Sequence, residues 1–409
     1  MSIANLSPLS AQWSMLSLAD NDPFPAYEVL RERGPVIWDP GMNCWLVLSH
    51  ELCKEVESDE GTYRIVVADA PPLSFEVKGG KTALSSLLGD DHTRMRRLYQ
   101  KILGPSQMPK YREEHVVPVI NDAIDRFADA GKAELVSQFS EVVPPRIMAS
   151  MFGLPWQDDG LLAQMEQWHR DIVTWIGLGY PEEGGEATRK AKLASDELND
   201  LFKPLVLARR DLRGDDVISQ VWTHAPEYYG PVGVDEVMTI VRDIELAAGE
   251  TTTNAIANLF YLFLTNPEIR DAASSDHEAG LNRCVEETLR FLGSAQWRYR
   301  VANRDLTLGG AAVKKNDKLC LVHAAANRDP EHYACPHSIN LERKSPADHL
   351  AFNVGPRVCL GMWLARLKMR ESMKAIMSRL PEVRLDPEKE APHFRAFSHR
   401  SYGPLHVVF

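Results

Sequence analysis

The sequence predicts a mainly α-helical protein with small β-sheets. Three observations carry that expectation. Helical periodicity dominates from His92 to about Thr265. Strand-type runs are short: Val36-Ile37-Trp38, Trp45-Leu46-Val47-Leu48, and a few beyond Val301. The two firmest helical stretches, Asp235 to Asn266 and Met362 to Arg379, are much longer than any of these.

In chain order, Asp22-Pro23-Phe24-Pro25-Ala26-Tyr27 opens a helix carrying Leu30, which Gly34-Pro35 stops. The first two strands flank an Asp-Pro-Gly turn. Thr62 to Asp91 reads as irregular and rich in Pro, Gly and Ser, and a loop of that length usually serves function. The helical region is broken from Gly177 to Gly185, at Tyr180-Pro181-Glu182-Glu183. Asp235 to Asn266 reads as one uninterrupted helix, ended by Pro267. After the late strands comes an irregular section, His332 to Leu350. No repeat, low-complexity tract or linker is present.

A chain of 409 residues can hold two average domains or one large one. The net charge, 46 − 57 = −11, argues against wholesale nucleic-acid binding. The six cysteines contain no Cys-x-x-Cys pair, so neither a zinc site nor a thioredoxin-like motif is supported. So few cysteines fit a reducing cytosol. Met1 to Asp20 lacks a basic start and a long apolar run, so neither a signal peptide nor a membrane anchor is expected.

The most informative segment is Phe352-Asn353-Val354-Gly355-Pro356-Arg357-Val358-Cys359-Leu360-Gly361, directly before the last helix. Cys359 sits near the positive end of that helix, where the macrodipole is expected to lower its proton affinity. The glycines allow close approach of a large flat ligand. Arg357 offers a rigid fork for a carboxylate. An axial thiolate on haem iron needs these features. Mid-helix, Ala247-Ala248-Gly249-Glu250-Thr251-Thr252-Thr253 lowers helix propensity and suggests a local distortion with a use. Glu287 and Arg290 lie at i and i+3 on one helix face.

On these motifs, from about residue 22 to its C-terminus, the chain resembles the cytochromes P450 of the soluble bacterial type. The resemblance implies the cytochrome P450 fold and a single catalytic domain over 1–409, a helix-rich core with a small N-terminal β region. It implies haem b, with Cys359 as the axial iron ligand. Phe352, Gly361 and Ala248 would border the cofactor, and His92, Arg96, Arg300 and Arg357 would bind its propionates. Glu250 and Thr251 would be the acid–alcohol pair that relays protons, although Ala248 stands where the family pattern has glycine. An alternative register makes Thr252 the alcohol. Glu287, Arg290 and Arg343 would form a structural charge network.

The implied activity is a monooxygenase acting by hydroxylation or O-dealkylation, monomeric and cytoplasmic, without membrane or nucleic-acid partners. Its electrons would come from an acidic ferredoxin-type donor with its reductase, docked on Arg97, Lys101, Arg366, Lys368 and Arg370. Pocket walls would come from Leu73, Phe75, Trp175, Ile176, Leu246, Ala247, Ala295, Trp297 and Phe397, suiting a small aromatic or terpenoid-like substrate. Asp243, two turns before the oxygen site and seven residues before Glu250, needs a partner: an arginine such as Arg242, or a polar group of the substrate. The competing readings are a peroxide-driven haem-thiolate enzyme, which ordinarily lacks the acid–alcohol pair, and a haem sensor, which needs no Thr251.

Overall fold

The prolines after Asp22 start a helix because a missing N–H costs nothing in a first turn. That helix spans Phe24–Glu32 and buries Phe24, Ala26, Tyr27 and Leu30. The Asp-Pro-Gly turn then joins Val36–Asp39 to Cys44–Val47, antiparallel, with Val36 opposite Val47. In this computed structural model, residues 10, 13–18, 22–66, 70–80, 83–177, 180–181, 184–275 and 277–409 are described. Most of the Met1 to Asp20 segment, and Glu182 and Glu183 of the expected break, lie outside them.

The fold is mostly helical with small sheets, as expected. The largest sheet has five strands, in the order Val36–Asp39, Cys44–Val47, Lys318–Leu321, Arg298–Ala302, Tyr63–Ile65. Cys44–Val47 runs parallel to Lys318–Leu321, so the two ends of the chain build one sheet. The Thr62 to Asp91 stretch is less irregular than its composition suggests. It holds the strand Tyr63–Ile65, a helix Pro72–Val77 and the first turn of a helix Gly89–Leu103. The break at 177–185 does separate two helices, Asp159–Gly177 and Glu186–Asp211. No helix or strand lies between Ala326 and Leu350.

The expected single helix from Asp235 to Asn266 is in fact two, Val234–Ala247 and Glu250–Thr265. Ala248 and Gly249 interrupt it, and Gly249 sits at φ −79, ψ −104, outside helical geometry. The second half is clamped by the buried side chain of Asn258. Its Nδ2 donates to Leu292 O (2.8 Å) and Arg400 O (3.1 Å), and its Oδ1 accepts from Tyr402 N–H (3.0 Å). This half packs against the helix Met362–Arg379, which has the bounds the sequence suggested. Among the described residues no helix is long and apolar enough to cross a membrane.

Candidate active site

The cysteine turn is built locally. Cys359 N–H donates to Phe352 O at 2.8 Å, closing the loop ahead of Met362–Arg379. Gly355 stands at φ +68, where an added β-carbon would lie 2.9 Å from Glu57 O. That glycine therefore lets the loop pass the helix His50–Ser58, whose Glu57 carboxylate accepts from Val354 N–H at 3.0 Å. Gly361 meets no such constraint; a β-carbon there would make only ordinary contact with Cys359 Sγ, at 3.8 Å.

Burial pushes the Cys359 thiol above its ordinary value. The Gly361 N–H and the guanidinium groups of Arg298, Arg96 and Arg366 pull the other way. The net direction is upward, contrary to the helix-dipole expectation, because desolvation of a thiolate outweighs a dipole and three partly screened cations. A coordinated metal is what deprotonates such a thiol outright.

The guanidinium groups of Arg96, Arg298 and Arg366 act on the cysteine. Arg300 is 5% exposed, and among the described residues its Nε and Nη2 have no hydrogen-bond partner. His92 is buried, with Arg357, Glu60 and Arg96 as its charged neighbours. Arg96 is half-buried and, among the described residues, has no ion-pair partner. Arg357 is already engaged: it pairs with Glu60 and donates to Leu87 O at 2.6 Å. Arg298, not singled out from the sequence, stands two residues before Arg300 on the same strand and acts on Cys359. A buried guanidinium with unpartnered donors calls for an anion. The set fits a flat ligand with two carboxylates whose metal meets Cys359.

The supporting network also forms. Arg290 Nε and Nη2 donate to Glu287 at 2.8 and 2.7 Å, and Arg343 Nε adds a third contact at 3.1 Å. Arg290 Nη1 also donates to Asn327 O and Pro336 O, both at 2.9 Å, so this buried side chain helps to hold the irregular section. The neighbouring Glu286 accepts from Arg366 at 2.6 and 2.8 Å, tying the same helix to the one after Cys359. Burial pushes Glu286 up, but Arg366 and His349 hold it down at about 2. Of the expected donor-docking cluster, Arg366 is therefore spent inside the protein. Lys368 is 1% exposed, and Arg370 bonds Asn282 at 3.0 Å. Arg97 remains on the surface, with Lys101.

At the helix break, Thr252 is buried and Thr251 half-buried. Burial raises the pKa of Glu250, although 48% of its side chain is exposed. His399 Nδ1 lies 3.9 Å from Glu250 Oε2. Burial lowers His399 to about 4, so at neutral pH this contact is not an ion pair. His399 arrives because Ala295 bridges to it, while Gln296 N–H donates to Ser398 O at 2.9 Å. The same pairing brings Trp297 edge-on to Phe397, ring centroids 4.7 Å apart. Leu246 and Ala248 are half-buried and Ala247 exposed. Trp175, in contrast, is a core residue rather than a pocket wall: it is fully buried, and its Nε1 donates to Thr188 Oγ1 at 3.1 Å.

Asp243 has partners other than the expected arginine. It accepts from Tyr99 Oη at 2.7 Å and Leu84 N–H at 3.1 Å. Burial raises its pKa against these two bonds. Arg242 faces elsewhere, toward Ser195 O and Val77 O. Neither Tyr99 nor Leu84 is near Asp243 in sequence, so nothing local pointed to them.

Comparisons with known proteins identify the family. The family model for Cytochrome P450 matches residues 7–398. The chain is 28% identical to the cytochrome P450 monooxygenase PikC of Streptomyces venezuelae, covering 89% of this chain and 85% of that one. It is 29% identical to mycinamicin IV hydroxylase/epoxidase of Micromonospora griseorubida, covering 88% of each. The structure of CYP109E1 from Bacillus megaterium in complex with testosterone superposes with TM-score 0.80 at 25% identity, covering 95% of this chain and 97% of that one. CalO2 superposes with TM-score 0.82 over 95% and 96%, at 24% identity, a likeness of fold. The chain belongs to the cytochrome P450 family, whose members bind haem through a cysteine thiolate.

Proposed function

We propose that this P450 is a single-domain, cytosolic, monomeric monooxygenase that inserts one oxygen atom of O2 into a small, largely apolar aromatic or terpenoid-like substrate. The observation that carries the reading is the half-buried Cys359 turn with Arg96, Arg298 and Arg366 acting on it, and with buried Arg300 donors that lack a hydrogen-bond partner among the described residues two positions along the strand from Arg298. When bound, haem b supplies the oxygen-activating redox chemistry. Cys359 would hold its iron; Arg300, Arg96 and His92 would take the propionates, with Arg298 beside them. Arg357 would contribute mainly through its grip on Glu60. Glu250 and Thr251 would hold and pass protons beside the helix break. Ala295, Trp297 and Phe397 would shape one pocket wall, with Leu246 and Ala247 on the helix opposite. Electrons would come from an acidic ferredoxin-type donor and its reductase, meeting a smaller basic surface than the sequence suggested, centred on Arg97 and Lys101.

The ferrous–CO complex of the purified protein should show the strongly red-shifted Soret band of a thiolate-ligated haem. Cys359→His should lose that band while retaining haem. Retention of the thiolate spectrum by Cys359→Ser would sink the assignment. A spectral-shift screen of apolar ring compounds against the ferric enzyme, followed by turnover with NADH, reductase and ferredoxin, tests the substrate class. Shifts confined to highly polar or charged compounds would overturn that class.

A further inference from the structure

Away from the cysteine turn, two histidines and a carboxylate meet where the helix His50–Ser58 begins. His50 is 0% exposed, yet among the described residues neither Nδ1 nor Nε2 has a hydrogen-bond partner. A buried imidazole with both nitrogens unpartnered is costly, and proteins seldom keep such a group without a use. Its ring stacks on His332, centroids 3.5 Å apart at 11°. His332 Nε2 in turn lies 3.0 Å from Asp348 Oδ2. Candidate ligand atoms of the three residues all fall within 4.8 Å of one another.

We propose that His50, His332 and Asp348 form a binding site for a divalent d-block cation, for which Zn2+ is the probe. Two imidazoles and one carboxylate are a ligand set such ions accept, with water completing the shell. The burial is graded as an entry path requires. His50 is at the bottom, while the side chains of His332 and Asp348 are 28% and 44% exposed. Lone pairs lie in the ring plane, so a shared ion requires the exposed His332 to rotate out of the stack, with His50 as the fixed ligand.

The electrostatics permit a cation here. Neither ring nitrogen of His50 is engaged in a hydrogen bond among the described residues, so a lone pair is open to an ion. The positive end of the helix would oppose a metal, but His50 N–H already donates to Asp329 Oδ2 at 2.9 Å. Asp329 and Asp348 are the nearby acids, and Lys54 is the cation one turn on. Tyr333 packs edge-on against His50, centroids 5.5 Å apart, and donates to Asp348 O, fixing the backbone on the carboxylate side.

An ion here would join the helix His50–Ser58 to the irregular section that Arg290 supports. The same helix holds the cysteine loop through Glu57. Binding would therefore strengthen the scaffold on which Cys359 sits without touching the site itself.

The test is Zn2+ titration of the haem-loaded protein in competition with a chromophoric chelator, alongside thermal unfolding. One equivalent should bind, and saturating Zn2+ should raise Tm by about 2 °C or more. His332→Gln and Asp348→Asn should each weaken binding by about tenfold or more and abolish the Tm shift, with the ferrous–CO spectrum unchanged. His50→Phe should abolish binding; if it fails to fold, the other two variants carry the test. Binding below one equivalent, or equal affinity in wild type, His332→Gln and Asp348→Asn, would overturn the site.

Discussion

The imidazole of His169 occupies the space where Gly249 lacks a side chain. A β-carbon at 249 would lie 2.8 Å from His169 Nε2 and 2.9 Å from Cε1. His169 comes from the helix Asp159–Gly177, and its Nδ1 lies 3.9 Å from the buried Glu245 Oε1. The interruption before Glu250 is thus matched by a ring from another helix.

That contact is tested by a double-mutant cycle. Gly249→Ala should destabilise by about 1–3 kcal/mol through overpacking. In a His169→Ala background the same change should cost much less, with a coupling energy of about 1 kcal/mol or more. Additive effects in urea unfolding would show that Gly249 is needed only for its backbone geometry.

Thr251 and Thr252 differ in setting, half-buried against buried. Thr251→Ala should still consume NADH and oxygen but release more peroxide and less product. Glu250→Gln should slow turnover without weakening substrate binding. Uncoupling by Thr252→Ala and not by Thr251→Ala would shift the proton relay by one residue and remove Glu250 from it.

Asp243 holds Leu84 N–H and Tyr99 Oη, so its removal should loosen the segment over the Gly89–Leu103 helix. Tyr99→Phe should cost about 1–3 kcal/mol, leaving a buried carboxylate with one donor fewer. Asp243→Asn should cost a similar amount and leave haem content unchanged. If Asp243→Asn raises the substrate dissociation constant about tenfold while Tyr99→Phe does not, the carboxylate contacts substrate as well.

Lys368 is 1% exposed, and among the described residues no hydrogen bond or ion pair reaches its ammonium. Burial lowers its pKa to about 7 from its ordinary value of 10.5. Between those values the unfolded chain binds more protons at this site than the folded one, so its contribution to stability rises with pH, by up to about 1.4 kcal/mol per unit. Below pH 7 the full penalty of a buried charge applies. Lys368→Met should therefore be more stable than wild type at pH 7, with the gap narrowing toward pH 9. Equal urea midpoints at both pH values would contradict this.

Much of the site was legible in local sequence. Cys359 with its glycines and arginine, the bounds of Met362–Arg379, and Glu287 and Arg290 on one helix face all rest on contacts within a few residues. The partners of those residues were harder. Arg298 and His399 carried no motif, although Arg298 shares strand parity with Arg300 and that alternation was a usable signal. Lys368 looked like a surface cation because composition alone does not say which face of an apolar helix is covered on all sides.

The sequence by itself determined the helical class, the short strands and the cysteine turn, because periodicity, proline and glycine act on neighbouring residues. Only the tertiary structure decided that the long helix breaks at Gly249 and that Asp243 answers to Tyr99. It also decided that Arg366 turns inward to Glu286 and that His50 stacks on His332. Each of those outcomes depends on a side chain dozens to hundreds of residues away, and only packing, which no local pattern encodes, brings the two together.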